Sequence, residues 1–144
     1  MIKNSNDTAL KNILKNLHQH AIAARLNSHS PYSKYKVGAA ILLSTGEIFS
    51  GCNIENASYG GTVCAERVAV WKAASEKGAI EISQVMVVTD SAEAWPPCGF
   101  CRQVVAEFAT DKTQVHTANL EQIQKTFLFS ELLPESFNPK HLGK

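Results

Sequence analysis

The sequence predicts an α/β domain in which helices cover both faces of one mixed sheet. Three observations support this. Segments of helix-forming residues alternate with short runs of apolar, β-branched residues. The apolar runs are nearly continuous rather than alternating, which is typical of a sheet buried on both faces. The 144 residues contain no repeat, linker or low-complexity stretch, so residues 1–144 are expected to form one domain.

The first half of the chain predicts a helix followed by a hairpin. Apolar residues recur at helical spacing over residues 8–27, with Ser5 or Asp7 as a plausible N-cap. Two apolar runs, 37–43 and 47–54, flank the turn residues Ser-Thr-Gly. Such a pair around a short glycine-containing turn is typical of a β-hairpin.

The second half predicts two helices and three strands. Good helix formers occupy residues 64–77 and stop at a glycine, and a second helix is expected over residues 98–109. Pro96 and Pro97 mark the start of this second helix, since proline is favoured at a helix entrance. Short strands are predicted at residues 85–89, 115–117 and 127–129.

Composition narrows the classes of function. Hydrophobic residues make up 44% of the chain, enough for a real core. The formal charge of +1 argues against a protein that binds nucleic acid mainly through its phosphates, because such binding needs a basic surface. The longest apolar run is far shorter than the roughly 20 residues of a membrane span, and the first residues do not resemble a signal peptide. A cytoplasmic, reducing location is therefore expected, where cysteines are more often ligands than disulfides.

Two cysteine clusters stand at the starts of the second and third predicted helices. Cys98 and Cys101 are three residues apart, so they lie side by side on a helix and can share one metal. Cys64 would supply a third thiolate. Three protein ligands leave the fourth position of a tetrahedral Zn²⁺ for water, which is the arrangement of a catalytic zinc site.

Glu66 and two arginines complete this candidate site. Cys64 and Glu66 would diverge by about 200° in the middle of a helix, so both can face one metal only if the helix begins near residue 64. Glu66 would then carry protons without binding the metal. Arg67 and Arg102 adjoin the ligands and are placed to donate hydrogen bonds to sulfur, which would restore the acidity of a metal-bound water.

The cysteines also allow interpretations without a catalytic metal. Cys98 and Cys101 alone could be a redox pair or half of a structural zinc site. Cys52 could be a fourth ligand that closes the site, although a small core residue is the expected role for a cysteine in a buried strand. A zinc-stabilised binding module is the rival from another class, and it would have no use for the carboxylate of Glu66.

Longer motifs resemble the cytidine deaminases of the small homotetrameric, three-cysteine type. The matching text is PYSKYKVGAAILLSTGEIFSGCNIENASYGGTVCAERVAV at residues 31–70, PCGFCRQVVAEF at residues 97–108 and LLPESF at residues 132–137. The resemblance implies a three-layer α/β/α sandwich with a five-stranded mixed sheet. It also implies Zn²⁺ as the cofactor, with Cys64, Cys98 and Cys101 as its ligands.

The same resemblance assigns the substrate contacts. It implies that Asn53 and Glu55 bind the ribose hydroxyls and that the backbone beside Ala65 contacts the base. Tyr35 stands where the family usually has phenylalanine, and it would form an aromatic wall. Tyr59 is either a pocket wall or a packed aromatic, and Phe137 is expected to enter the pocket of a neighbouring subunit in a homotetramer. Phe100 is a second departure, since smaller or polar residues are commoner there.

The implied reaction is hydrolysis of cytidine and deoxycytidine to uridine and deoxyuridine in pyrimidine salvage. Glu66 would take a proton from zinc-bound water and deliver it to the ring nitrogen, and the hydroxide would attack the ring carbon that bears the amine. Glu66 would then protonate the departing ammonia. Another cytosine-containing nucleoside, such as an aminoacyl-nucleoside antibiotic, is an alternative substrate. Deamination within a polynucleotide is disfavoured by the near-neutral charge and the short chain.

Overall fold

A computed structural model describes residues 2–143 of the chain, with side chains from residue 7 onward. It contains four α-helices and five strands in this part. They are α1 (Ile2–Arg25), β1 (Val37–Leu43), β2 (Ile48–Cys52), α2 (Ala65–Lys77), β3 (Ile82–Thr89), α3 (Gly99–Ala106), β4 (Ala109–Ala118), β5 (Ile123–Leu128) and the single turn α4 (Phe129–Leu132). Short 3₁₀ helices lie at Tyr59–Gly61 and Pro139–Leu142.

The five strands form one mixed sheet in the order β2-β1-β3-β4-β5. The predicted hairpin is present, because β1 and β2 pair antiparallel. β3 pairs antiparallel with β1 and parallel with β4, and β5 returns antiparallel to β4. The parallel pair needs a crossover, which α3 provides. The predicted five-stranded mixed sheet is confirmed.

Helices cover both faces of this sheet, so the predicted three-layer α/β/α sandwich is also confirmed. Successive strand residues point to opposite faces. One core holds α1 against the sheet; its buried members are Leu17, Ala21, Ala40, Met86, Val88 and Ala118. The other holds α2 and α3 against the opposite face, and it includes Ile41, Ala69, Val70, Val85, Val87 and Val105.

Two glycines let the helices approach the sheet closely. A Cβ on Gly38 of β1 would come within 2.0 Å of the Ala21 carbonyl oxygen on α1. A Cβ on Gly51 of β2 would come within 2.7 Å of the Val68 side chain on α2. Both distances are far below van der Waals contact, so hydrogen is the only substituent that fits. The close contact of α2 with β2 places the start of α2 beside the end of β2 and the start of β1.

Several element boundaries differ from the predicted ones. α1 begins at Ile2 rather than residue 8, and Asp7 pairs with Lys11 on the helix surface at 3.1 Å instead of capping. α3 ends at Ala106, because Ala109 already pairs with Ile82 at the start of β4. Within residues 2–143, no helix combines the length and apolarity needed to cross a bilayer.

Candidate metal centre and adjoining cavity

The ligand-bearing cysteines lie at two helix starts that face each other. Cys64 is the N-cap of α2 and Cys98 is the N-cap of α3, both with extended backbone geometry. Cys101 follows in the first turn of α3 and is buried. The predicted requirement that the second helix begin near residue 64 is therefore confirmed. Pro96 and Pro97 lie just before Cys98, the N-cap of α3, and therefore outside the helix.

The three sulfurs form a triangle of the size that zinc requires. The Sγ atoms of Cys64 and Cys98 are 3.9 Å apart, those of Cys98 and Cys101 are 3.5 Å apart, and all three lie within 4.8 Å of one another. Zn–S bonds of about 2.3 Å at a tetrahedral angle put two sulfurs about 3.8 Å apart. The thiol set fits zinc and leaves one coordination position open.

Cys52 is not part of the triangle. It is buried at the end of β2, and the ligand group found among the described side chains consists of Cys64, Cys98 and Cys101 alone. Burial raises the pKa of the Cys52 thiol, which favours its neutral form. The interpretation of Cys52 as a small core residue is consistent with this position.

The pKa values of the Cys64 and Cys101 thiols are shifted in opposite directions. A hydrogen bond from Cys101, helped by Arg67 and Cys98, lowers the pKa of Cys64 to about 5 against the opposing effect of burial. The pKa of Cys101 is raised, because its proton is held against the Cys64 thiolate and because the group is buried. Three close thiols ionise together only when a cation compensates their charge, and binding of a divalent metal supplies it.

Glu66 lies in the first turn of α2 and is only 4% exposed. Burial raises the pKa of its carboxyl to about 7, with the Cys64 thiolate adding to the rise. A carboxyl with a pKa near neutrality both accepts and releases protons readily, which is what a general acid and base needs. Glu66 is absent from the ligand group, so its carboxylate remains available for proton transfer.

The two arginines have different partners. The Arg67 Nη2 donates to the Cys64 Sγ at 3.7 Å and to the Thr62 carbonyl at 3.2 Å, and its guanidinium lies 4.3 Å from the ring centre of Phe100. The Arg102 guanidinium donates to two carbonyl oxygens, those of Pro97 at 2.8 Å and Leu132 at 2.7 Å. The expected hydrogen bond to sulfur is thus present for Arg67, whereas Arg102 braces the backbone that leads into α3.

A small cavity opens beside Glu66 and two of the sulfurs. Its volume is about 150 Å³, and its lining residues come from β1, β3, α2 and the loop before α3: Val37, Cys64, Glu66, Val87, Thr89, Trp95, Pro96 and Cys98. Two larger hollows, of about 440 and 470 Å³, lie elsewhere, and neither is lined by a cysteine. The small cavity is therefore the one that adjoins the cysteine cluster and Glu66.

Sequence reasoning missed part of this lining. Val37, Val87 and Thr89 reach the cavity because β1 and β3 are neighbours in the sheet, a pairing that local sequence does not encode. Trp95 and Pro96 had a detectable signal, since they directly precede the cysteine motif of α3. Trp95 also meets Tyr35 edge-to-face, with ring centres 4.9 Å apart.

Asn53 and Glu55 are held by the loop that precedes β1. The Asn53 Oδ1 accepts hydrogen bonds from the Ser28 hydroxyl and the Val37 N–H, and its Nδ2 donates to the Tyr35 carbonyl at 2.9 Å. Glu55 accepts from the backbone N–H groups of Tyr32 and Ser33, and the Ser33 side chain contributes most to lowering its pKa. Among the described contacts, Asn53 keeps one N–H and Glu55 keeps acceptor lone pairs for a ligand.

The remaining candidate contacts, Ala65, Tyr59 and Phe137, are not among the residues that line the cavity. Ala65 is buried as the first residue of α2, where its backbone N–H has no partner within the helix. Tyr59 is 76% exposed and meets Tyr32 edge-to-face. Phe137 is 57% exposed, stacks on His141 and does not line the cavity of its own chain.

Comparison with known proteins identifies close relatives of the whole arrangement. Residues 11–117 match the family described as the cytidine and deoxycytidylate deaminase zinc-binding region. The cytidine deaminase of Halalkalibacterium halodurans is 45% identical over 125 residues, covering 87% of this chain and 94% of that protein. The crystal structure of cytidine deaminase from Burkholderia pseudomallei superposes with a TM-score of 0.80 at 37% identity, covering 85% of this chain and 98% of that one. That of Mycobacterium tuberculosis gives 0.73 at 33% identity, with 86% and 96% covered.

Proposed function

The chain belongs to the zinc-dependent cytidine deaminase family, and from this membership we propose that it hydrolyses free cytidine and deoxycytidine to uridine and deoxyuridine. The whole of residues 1–144 acts as one deaminase domain in this proposal. The observation that carries it is the open triangle of three thiols with the buried, unligated carboxyl of Glu66 beside it. A purely structural zinc site has no use for that carboxyl.

Cys64, Cys98 and Cys101 would hold the zinc. When bound, zinc supplies the positive charge that makes a water acidic near neutral pH. Glu66 would accept a proton from the attacking water and pass it to the ring nitrogen of cytosine, which makes the amine-bearing carbon more electrophilic. The water oxygen would then form a bond to that carbon. Glu66 would take the remaining proton from this oxygen and give it to the amine, so that the carbon–nitrogen bond breaks, ammonia leaves and the oxygen becomes the carbonyl of uracil. Burial raises the pKa of this carboxyl, which suits a group that both accepts and donates protons.

The rest of the pocket orients the nucleoside. The 150 Å³ cavity is below the roughly 300 Å³ of ordinary ligand pockets, so it suits the base alone and leaves the ribose outside. Asn53 presents a donor and Glu55 an acceptor, and together they suit a hydroxyl that both accepts and donates. The Ala65 N–H would hold the base, and Tyr35 and Tyr59 would form aromatic walls around it.

We also propose a homotetramer in which Phe137 completes the pocket of an adjacent subunit. Its exposure, and its absence from the cavity of its own chain, support this role. An aromatic wall over the base contributes stacking and excludes water. The enzyme would work in the cytoplasm, where its thiols stay reduced.

The test is a direct assay with a metal count. Purified protein is incubated with cytidine and followed by ultraviolet absorbance and by ammonia release, while zinc per chain is determined on the same sample. The proposal predicts one zinc per chain and stoichiometric formation of uridine and ammonia. Protein that holds zinc in its three-thiol site but releases no ammonia from cytidine or deoxycytidine would contradict it.

A further inference from the structure

Trp95 lines the cavity from the loop that precedes α3. It borders the same 150 Å³ space as Cys64 and Glu66, and its indole meets the Tyr35 ring edge-to-face with planes 71° apart. Trp95 is 37% exposed and Tyr35 is 55% exposed, so the pair forms an aromatic corner between the cavity and solvent. Bulk at this corner limits what can enter.

The loop that carries Trp95 is anchored from a distant strand. Gln124 on β5 accepts a hydrogen bond from the Ala94 N–H at 2.8 Å and donates to the Ala92 carbonyl at 2.7 Å. On the other side of Trp95, Pro96 and Pro97 restrict the backbone. The backbone at Trp95 is thus held between a two-point side-chain anchor and two prolines, which limits how far the indole can move aside for a larger ligand.

We propose that Trp95 is a specificity-determining residue that restricts the pocket to unsubstituted cytosine rings. The proposal rests on the deaminase function described above. The cavity has room for a single small ring, and the indole forms one of its sides. A ring substituent, such as the methyl group of 5-methylcytidine, then has to overlap the rigid corner. Crowding of this kind discriminates between substrates that differ by one carbon.

Removal of the indole should weaken the discrimination against 5-methylcytidine relative to cytidine. The quantity measured is the ratio of kcat/KM for 5-methylcytidine to kcat/KM for cytidine, because a ratio is insensitive to losses shared by both substrates. We expect it to rise about tenfold in Trp95→Ala and by a smaller factor in Trp95→Phe, in line with the discrimination of roughly 10–200-fold per carbon in apolar pockets. An unchanged ratio in Trp95→Ala would overturn the proposal.

The anchor offers a test that leaves the cavity lining intact. Gln124→Leu removes both hydrogen bonds to the loop, so the ratio should rise, though less than in Trp95→Ala. Gln122→Leu is the matched control, because Gln122 is exposed two residues earlier and its hydrogen bonds with Asn119 use its backbone. Equal ratios in the Gln124 and Gln122 variants would show that the anchor does not hold Trp95 in place.

Binding can be followed without turnover. The chain has two tryptophans, Trp71 and Trp95, so Trp71→Phe leaves Trp95 as the only indole. Titration with uridine, the product, should change the Trp95 emission in a saturable way. No change at saturating uridine would contradict the placement of Trp95 at the base. If uridine changes the emission while the wild type releases no ammonia from cytidine, the deaminase function is refuted and the position of Trp95 stands.

Discussion

His116 should make the stability of the fold depend on pH. It lies on β4, is 1% exposed, and bonds to Gln84 through Nε2 at 2.7 Å and to Thr126 through Nδ1 at 2.8 Å. The amide oxygen of Gln84 can only accept, so Nε2 carries the proton and the Thr126 hydroxyl donates to Nδ1. The neutral imidazole is satisfied, and burial lowers its pKa from 6.5 to about 4.

The sign and size of the effect follow from this shift. The unfolded chain takes up a proton as pH falls through 6.5, while the folded chain does not until about pH 4. Stability from this group is therefore present above pH 6.5 and is lost as the pH falls toward 4. At about 1.36 kcal/mol per unit, the full loss is about 3 kcal/mol, of which about 2 kcal/mol has gone by pH 5.

Urea unfolding of the wild type and of His116→Gln at pH 7.5 and pH 5 measures this contribution. The free energy of unfolding of the wild type should fall by about 2 kcal/mol more than that of the variant, because contributions from all other groups cancel in the comparison. His20→Gln, at an exposed position of α1, is the matched control and should follow the wild type. Parallel pH dependence in the wild type and His116→Gln would refute the buried neutral imidazole.

Two further predictions concern the metal and the assembly. Cys52→Ser should keep one zinc per chain and substantial activity, whereas Cys64→Ser should lose both; comparable zinc loss in the two variants, by metal analysis, would favour a closed four-cysteine site. Phe137→Ala should raise KM for cytidine with zinc unchanged, since in the proposed homotetramer it would remove a wall of the pocket in the neighbouring subunit. Light scattering with activity measured across dilution checks the assembly, and a fully active monomer would exclude the shared pocket.

The cysteine site was predictable because its chemistry dictates its geometry. Three thiolates and a carboxylate can face one metal only if Cys64 stands at a helix start, and the structure has Cys64 as the N-cap of α2. The motifs also suffice to expect the sheet and its two helical layers. These features depend on short stretches of sequence whose local preferences agree with the fold.

Other features depend on contacts between distant residues, which motifs do not reveal. Arg102 lies beside Cys101, and yet its guanidinium reaches the Leu132 carbonyl, thirty residues later, instead of sulfur. Trp95 gains its position from Gln124 on β5. The early end of α3 reflects strand pairing, which overrides local propensity.

The most direct test of the central claim is the Glu66→Gln variant. Glutamine preserves the shape of the buried side chain and removes the carboxylate proposed to carry protons, so the zinc content should stay at one per chain while kcat for cytidine falls by about 10²–10⁴-fold. Glu76→Gln, an exposed position on the same helix, is the matched control and should keep wild-type turnover. Near-wild-type kcat in a zinc-loaded Glu66→Gln protein would contradict the assignment of Glu66 as the proton carrier.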